Sequence, residues 1–313
     1  MAFKQASQKF NAAINSVEIG SGDKKVVLGG ERVLPFYTFD EEIVNSPKVG
    51  VEISDLGLEG ASKGIVDFYG GATEISAIAA KAGEMPGADF ICLRFSGADP
   101  NGANRSVEEC VEIAKVVSEA CDLPLVVAGC DNVEKDAQIL EKVAEVLQGK
   151  NILVLSAKEE NYKKIAASAG MAYKQKVAAE SSVDINLAKQ LNVLMTQLGL
   201  DPKNIVMNLG SATAGYGFEY VSSTMDRVKM AALSQNDTAL QMPIITPIAS
   251  ETWSAKESIM PEEDMPEWGS QEDRGIDMEV VTAVACLASG SNAVILKHPK
   301  SVATVSKLIK ELM

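Results

Sequence analysis

The sequence predicts an α/β protein, a (β/α)8 TIM barrel preceded by an N-terminal extension. Three observations carry that reading. Beyond residue 47, eight short runs rich in Val, Ile and Leu recur, each followed by a stretch of helical periodicity. None is followed by the G-x-G-x-x-G turn expected of a dinucleotide-binding open sheet, the competing α/β architecture. Within the runs, apolar and other residues alternate as a sheet with two unlike faces requires.

Residues 1–47 are read as an extension packed across the barrel, and 48–313 as the barrel itself. The runs are KVGVEIS (48–54), ADFICLRFS (88–96), LPLVVAG (123–129), NILVLS (151–156), MAYKQKVA (171–178), NIVMNLG (204–210), MPIITPIA (242–249) and NAVILKHP (292–299). In the first, Val49, Val51 and Ile53 suit a face packed on helices, which leaves Gly50, Glu52 and Ser54 for the interior. In the second, Ile91, Leu93 and Phe95 face outward and Cys92, Arg94 and Ser96 inward. Glu52 and Arg94 then stand on neighbouring strands and are expected to pair, because an isolated buried charge is very costly.

The intervening segments read as helices. Val107, Val111, Ala114 and Val117 form one stripe. Capping boxes are predicted at Ser106…Glu109, Asp131…Glu134 and Ser156…Glu159, and helix ends at Gly170, Gly199 and Gly290. The longest connections follow the first run (55–72) and the seventh (250–275). The latter holds six acids between Pro261 and Arg274, and both tryptophans, Trp253 and Trp268. Two tryptophans in one connection point to a surface that something covers.

Composition narrows the function. A 46% hydrophobic and 23% charged chain is globular. A net charge of −14 argues against nucleic acid and against an anionic membrane surface. The segment MAFKQASQKFNAAI has no apolar core of signal length and no run of about 18 apolar residues occurs, so a cytoplasmic location is expected. Five cysteines without a C-x-x-C predict reduced thiols, not a cluster or zinc site. A single histidine, His298, excludes His-rich metal sites and disfavours a His-based triad.

Barrel chemistry sits beyond the C-terminal ends of the strands, and the stretch GSATAGYGFEY (210–220) after the sixth run is the most distinctive there. Gly210 and Gly215 have phosphate-loop spacing, but Tyr216 stands where such a loop needs Lys. Glycines with Tyr216 and Tyr220 suit a large, flat, partly polar ligand, or simply a turn with core aromatics. Lys174, Lys176 and Lys297 are the candidate lysines for a Schiff-base lyase, with no acid–base partner beside them.

A series of motifs resembles one family. The stretches LGGERVLPFYTFDEEIVNSPKVGVEISD, LRFSGADPN, GCDNVEKDAQILEKVAE, GYGFEYVSSTMDRVKMAAL, PIASETWSAKES, EWGSQEDRGIDMEVVTA and ILKHPKSV are similar to the small, delta-type subunit of the corrinoid iron–sulfur protein. That protein belongs to the CO dehydrogenase/acetyl-CoA synthase system; the likeness spans roughly residues 26 to 303. The resemblance implies a TIM barrel paired with a larger subunit that carries a [4Fe–4S] cluster and a corrinoid-binding domain. It implies that the barrel's C-terminal face covers the corrinoid (cobalamin). The cobalt takes a methyl group from methyl-tetrahydropterin through a separate pterin methyltransferase. It hands that group to acetyl-CoA synthase in the reductive acetyl-CoA pathway. This chain is then not catalytic alone and holds no metal. The positions carried over as cofactor-binding are Asn101, Asp131, Asn132, Gly215, Tyr216, Gly217, Glu219, Tyr220, Trp253 and His298. Asp131 stands where the family pattern leads us to expect glycine, so the backbone of that turn is expected to differ. The alternative is a stand-alone pterin-dependent methyltransferase barrel, with Asn208, Asp131 and Asn132 bonding the pterin edge.

Overall fold

In the computed structural model, which describes residues 6–313, each of the eight runs contributes a strand to one parallel sheet. Residues 1–5, where the segment read for a targeting sequence begins, lie outside the described residues. Two short strands precede the sheet, β1 (Val17–Ile19) and β2 (Val26–Leu28). The sheet is built from β3 (Lys48–Ser54), β4 (Phe90–Arg94), β5 (Leu125–Ala128), β6 (Leu153–Ala157), β7 (Lys176–Glu180), β8 (Ile205–Asn208), β9 (Ile245–Pro247) and β10 (Ala293–Leu296). Its order is β8-β7-β6-β5-β4-β3-β10-β9, so chain neighbours are sheet neighbours throughout and β10 returns to β3. A parallel bridge between Met207 and Ile244 joins the two ends, with the Met207 N–H donating to the Pro243 carbonyl at 2.8 Å. The sheet closes into a barrel.

Side-chain parity follows the sequence pattern. Val49, Val51, Ile53, Ile91, Leu93 and Phe95 belong to the outer core shared with the helices. Phe90, Cys92, Val126, Leu153, Val206 and Ile295 fill the interior. Gly50 makes room there, since a Cβ would lie 2.2 Å from the Phe90 ring. Glu52 and Arg94 pair as expected, with Arg94 Nε donating to Glu52 Oε2 at 2.9 Å.

β1 and β2 form an antiparallel hairpin whose Val17, Ile19, Val26 and Leu28 join the interior cluster. The Gly20 N–H donates to the Asn151 carbonyl just before β6, which places the hairpin at the N-terminal end of the barrel. Each such fully buried side chain stabilises by about 1.5–3 kcal/mol. Nearby, the buried Lys229 ammonium meets Glu31 at 2.6 Å and Asn292 at 3.0 Å, fastening the same N-terminal segment.

Some local expectations are corrected. The fifth strand starts five residues later than the run 171–178, because residues 166–172 continue a short helix as a π-helix. Gly170 lies inside that turn and lets Leu200 and Val177 pack closely, so it ends no helix. Gly199 and Gly290 do end helices, at φ +108° and +126°. The Ser106–Glu109 box is complete. Asn132, not Asp131, caps helix 133–146, its Oδ1 accepting from Lys135 N at 3.0 Å. Ser156 belongs to β6 and caps nothing.

Candidate functional site

The C-terminal ends of β4 to β9 surround a polar cavity of about 230 Å³. Its floor is Asn208, the last residue of β8, which is buried and faces inward with the parity of Val206. Its Nδ2 donates to Ser156 Oγ at 3.0 Å and to Glu180 Oε2 at 3.3 Å, while its Oδ1 accepts from Gly210 N at 3.0 Å. That last bond orients the amide and fixes the first glycine of the collar.

Two cations stand among the acids of the wall. Lys158 Nζ lies 3.3 Å from Asp131 and 3.4 Å from Glu180. Burial opposes its charge, but Glu180 and Asp131 outweigh that and raise its pKa. Arg94, already paired with Glu52, reaches Asp131 at 3.7 Å. Glu251, on the β9 side, is pushed up by partial burial and by the Asp131 charge, with Arg94 opposing. Asp136 accepts from the backbone N–H of Cys130 at 2.7 Å and its thiol at 3.2 Å, yet burial still raises its pKa. Gly129 is required beside it, since a Cβ there would lie 2.2 Å from the carboxyl. The acids outnumber the bases, so the cavity favours a ligand presenting N–H donors.

Asp131 is on the lip of this cavity, its side chain 75% exposed. Its φ of +68° is the left-handed conformation that glycine offers freely, so the turn keeps a glycine-like backbone with a carboxylate added. Of the other predicted positions, Asn101 is exposed in the connection after β4, its N–H bonded to Asp99. Asn132 is engaged as a helix cap. Gly215, Tyr216, Gly217, Glu219 and Tyr220 stand outside the cavity wall, in the more exposed part of the collar, the rim. Tyr216 is 49% and Tyr220 67% exposed, and the Tyr216 hydroxyl donates to Glu257 Oε2 at 2.7 Å, linking the rim to the long connection after β9. The collar therefore touches the cavity only through Gly210 and Ser211.

Trp253 and His298 form a second group. Their rings stack at 5.7 Å and 17°. His298 is buried; its Nδ1 accepts from Lys300 N at 3.1 Å and its Nε2 lies 3.1 Å from Glu272. Burial lowers its pKa, with Glu272 opposing. Both ring nitrogens are thus engaged within the protein.

Lys158, Glu180, Asp136 and Glu251 were not singled out from sequence, and Ser156 only as a helix cap. Glu180 lies beyond the predicted end of the fifth run. Ser156 reaches the cavity because the β6–β7 register slips between Val154 and Ala157. Inward parity of Ala178 extended by two residues finds Glu180; a simple alternation does not find Ser156. Lys176 opens β7 at the opposite, N-terminal end, bonded to Asn204 at 2.6 Å, and Lys174 precedes it. Neither reaches the face where a lyase lysine would act. Among the described residues no group of three His, Cys, Asp or Glu could hold a metal ion, and no helix is long and apolar enough to cross a membrane.

Comparisons with known proteins agree with the motif series. A family model described as CO dehydrogenase/acetyl-CoA synthase delta subunit matches residues 16–297. The chain is 33% identical over 313 residues to the acetyl-CoA decarbonylase/synthase complex subunit delta of Methanocaldococcus jannaschii, covering 97% of this chain and 75% of that one. It is 31% identical over 302 residues to subunit delta 2 of that complex from Methanosarcina acetivorans, covering 95% and 68%. In fold it is similar to dihydropteroate synthase from Xanthomonas albilineans, solved with 7,8-dihydropteroate, at a TM-score of 0.54, 12% identity and coverage of 86% and 95%. The enzyme from Coxiella burnetii, solved with pteroic acid, gives 0.53 and 12%, covering 87% and 96%. The chain belongs to the CO dehydrogenase/acetyl-CoA synthase delta subunit family.

Proposed function

We propose that this chain is the small subunit of a cytoplasmic methyl-carrier complex. The C-terminal face of its barrel covers a corrinoid held by a larger subunit, which also carries a [4Fe–4S] cluster. Tyr216 and Tyr220 carry this reading: two exposed aromatics on the rim of a polar cavity, on the barrel face where ligands bind.

These residues fit such a group. The rim offers flat apolar surface of the kind a macrocycle needs. Asp131, Glu180 and Glu251 offer acceptors to carboxamide N–H groups at a corrin's edge. His298 offers no axial ligand, since both its nitrogens are engaged. The corrinoid, when bound, supplies methyl transfer at its cobalt. The chain's own part is to bind the edge, exclude water and hold the partner in register. Pterin methyltransferase and acetyl-CoA synthase are the proteins expected to exchange the methyl group with it, in the reductive acetyl-CoA pathway. Co-expression with the large subunit tests the reading: one stoichiometric heterodimer with corrinoid and iron–sulfur absorption is expected. Two separately eluting proteins would sink it.

A second reading, a pterin-dependent methyltransferase barrel, is favoured by Asn208 and Asp131 lining one cavity in a fold like that of dihydropteroate synthases. Asn132 drops out of it as a cap. Calorimetry with methyl-tetrahydrofolate separates the two, since only this reading expects heat from the isolated chain.

A further inference from the structure

Glu279, in the middle of helix 271–289, is fully buried and belongs to neither the polar cavity nor the rim. Its carboxyl accepts from two backbone N–H groups at the end of β10, Lys297 at 2.6 Å and His298 at 3.2 Å. The Trp253 indole N–H and the Ser301 hydroxyl lie within its influence, and both are buried without a hydrogen-bond partner among the described residues. One carboxyl therefore stands where a helix, a barrel strand, the closing helix 299–312 and the long connection after β9 meet.

The same helix holds the loops of the C-terminal face at two further points. One turn before Glu279, Gly275 presses backbone against Trp253, since a Cβ there would lie 2.5 Å from the indole ring. Thr282 accepts from the backbone N–H of Ala214, inside the collar, at 3.0 Å. Trp253 opens the connection that carries Glu257, which in turn holds the Tyr216 hydroxyl. The helix of Glu279 is thus in contact with both the Trp253–His298 stack and the collar.

We propose that Glu279 is a proton-operated latch for this face: ionised, it draws in the Trp253 indole and the Ser301 hydroxyl; protonated, it releases them. A buried carboxylate without a counter-charge needs every donor within reach. None here supplies a counter-charge. Its own helix carries Glu272, Asp273, Arg274 and Asp277, the last an acid and so no counter-charge. Glu272 pairs with His298, Asp273 with Lys300, and Arg274 donates to the Met260 carbonyl. Lys297 and His298 stand at the end of β10. Glu251, Lys256 and Glu257 lie in the connection after β9, and Asp226, Arg227 and Lys229 on the packed helix 218–234, where Lys229 pairs with Glu31. Among the described residues none forms an ion pair with Glu279. Burial pushes the Glu279 carboxyl up to about 7, which puts the switch near neutral pH.

Trp253 reports the latch directly. In a Trp268→Phe chain it is the sole tryptophan, and its emission and acrylamide quenching are followed from pH 5.5 to 9. A sigmoidal change centred near neutrality is expected, abolished in Glu279→Gln and retained in His298→Asn. A Ser301→Ala change, which removes one donor to the ionised form, is expected to move the midpoint to higher pH, and this arm stands even if the Gln variant folds poorly. A flat profile, a transition surviving Glu279→Gln, or one lost only with His298 would each overturn the proposal.

Discussion

Arg94 shows how a single inward position ties the barrel to its site. Its guanidinium neutralises Glu52 inside the barrel and reaches Asp131 on the cavity lip. The pair was legible in the sequence because parity alone aims Glu52 and Arg94 inward from adjacent strands. Asp131 was legible only in part: its left-handed backbone, not its charge, is what the turn demands. Removing Glu52 leaves a buried charge without its partner, which costs about 3–5 kcal/mol. Glu52→Leu should lower stability by that order in denaturant unfolding, and Glu52→Leu/Arg94→Met should recover most of it. If the double variant is no better than the single, the pair is not coupled as the geometry says. Glu279 makes a prediction of opposite kind. Its folded carboxyl titrates at about 7 against 4.5 unperturbed, so the folded state holds a proton that the unfolded state has released. The contribution of Glu279 to stability therefore falls as pH rises from about 4.5 to about 7, by about 3 kcal/mol. Unfolding of Glu279→Gln across that window should lack this loss; an unchanged slope would assign the pH dependence elsewhere.

At the scale of elements, eight strands were legible because each is a short run of β-branched and aliphatic residues bounded by turn chemistry. The fifth was displaced because Gly170, read as a helix end, lies inside the π-helix at 166–172, and no glycine or proline marks the true start of β7. That displacement hid Glu180, and the register slip in β6 hid Ser156, so these two residues of the cavity wall escaped the sequence while its floor, Asn208, did not. Caps were read correctly where Ser and Glu sit three apart and the box closes, at Ser106. At 131–134 the adjacent Asn132 supplies the oxygen instead. Ser106→Ala should therefore cost about 1 kcal/mol in thermal or chemical unfolding, while Asp131→Ala should leave that helix start intact. The hairpin of β1 and β2 was foreseen only as an extension across the barrel, since two three-residue strands give too little periodicity to read. Its buried Ile19 shares the interior cluster with Phe90 and Leu153. Ile19→Ala is expected to destabilise the whole barrel by about 2–5 kcal/mol, seen as one cooperative transition at lower denaturant. An early separate transition would instead mark the hairpin as an independent unit.

At the scale of the molecule, the buried cores carry stability, and the exposed rim is where we propose association. The interior and outer cores are closed by aliphatic packing, and nothing in them calls for the tyrosines of the rim. Tyr216 and Tyr220 are 49% and 67% exposed, and among the described residues the only side-chain bond of either is that from Tyr216 to Glu257. Truncating exposed side chains of this kind shifts stability by roughly 0.5 kcal/mol or less. Aromatic residues covered by a partner, in contrast, commonly contribute about 2 kcal/mol or more to binding, roughly a thirtyfold change in affinity. A Tyr216→Ala/Tyr220→Ala variant should therefore unfold with the parent chain, yet bind the proposed large corrinoid subunit at least about tenfold more weakly in sedimentation or calorimetry. Unaltered affinity would move the interface off this rim and leave the tyrosines as a surface turn, the plainer of the two readings that their sequence allows.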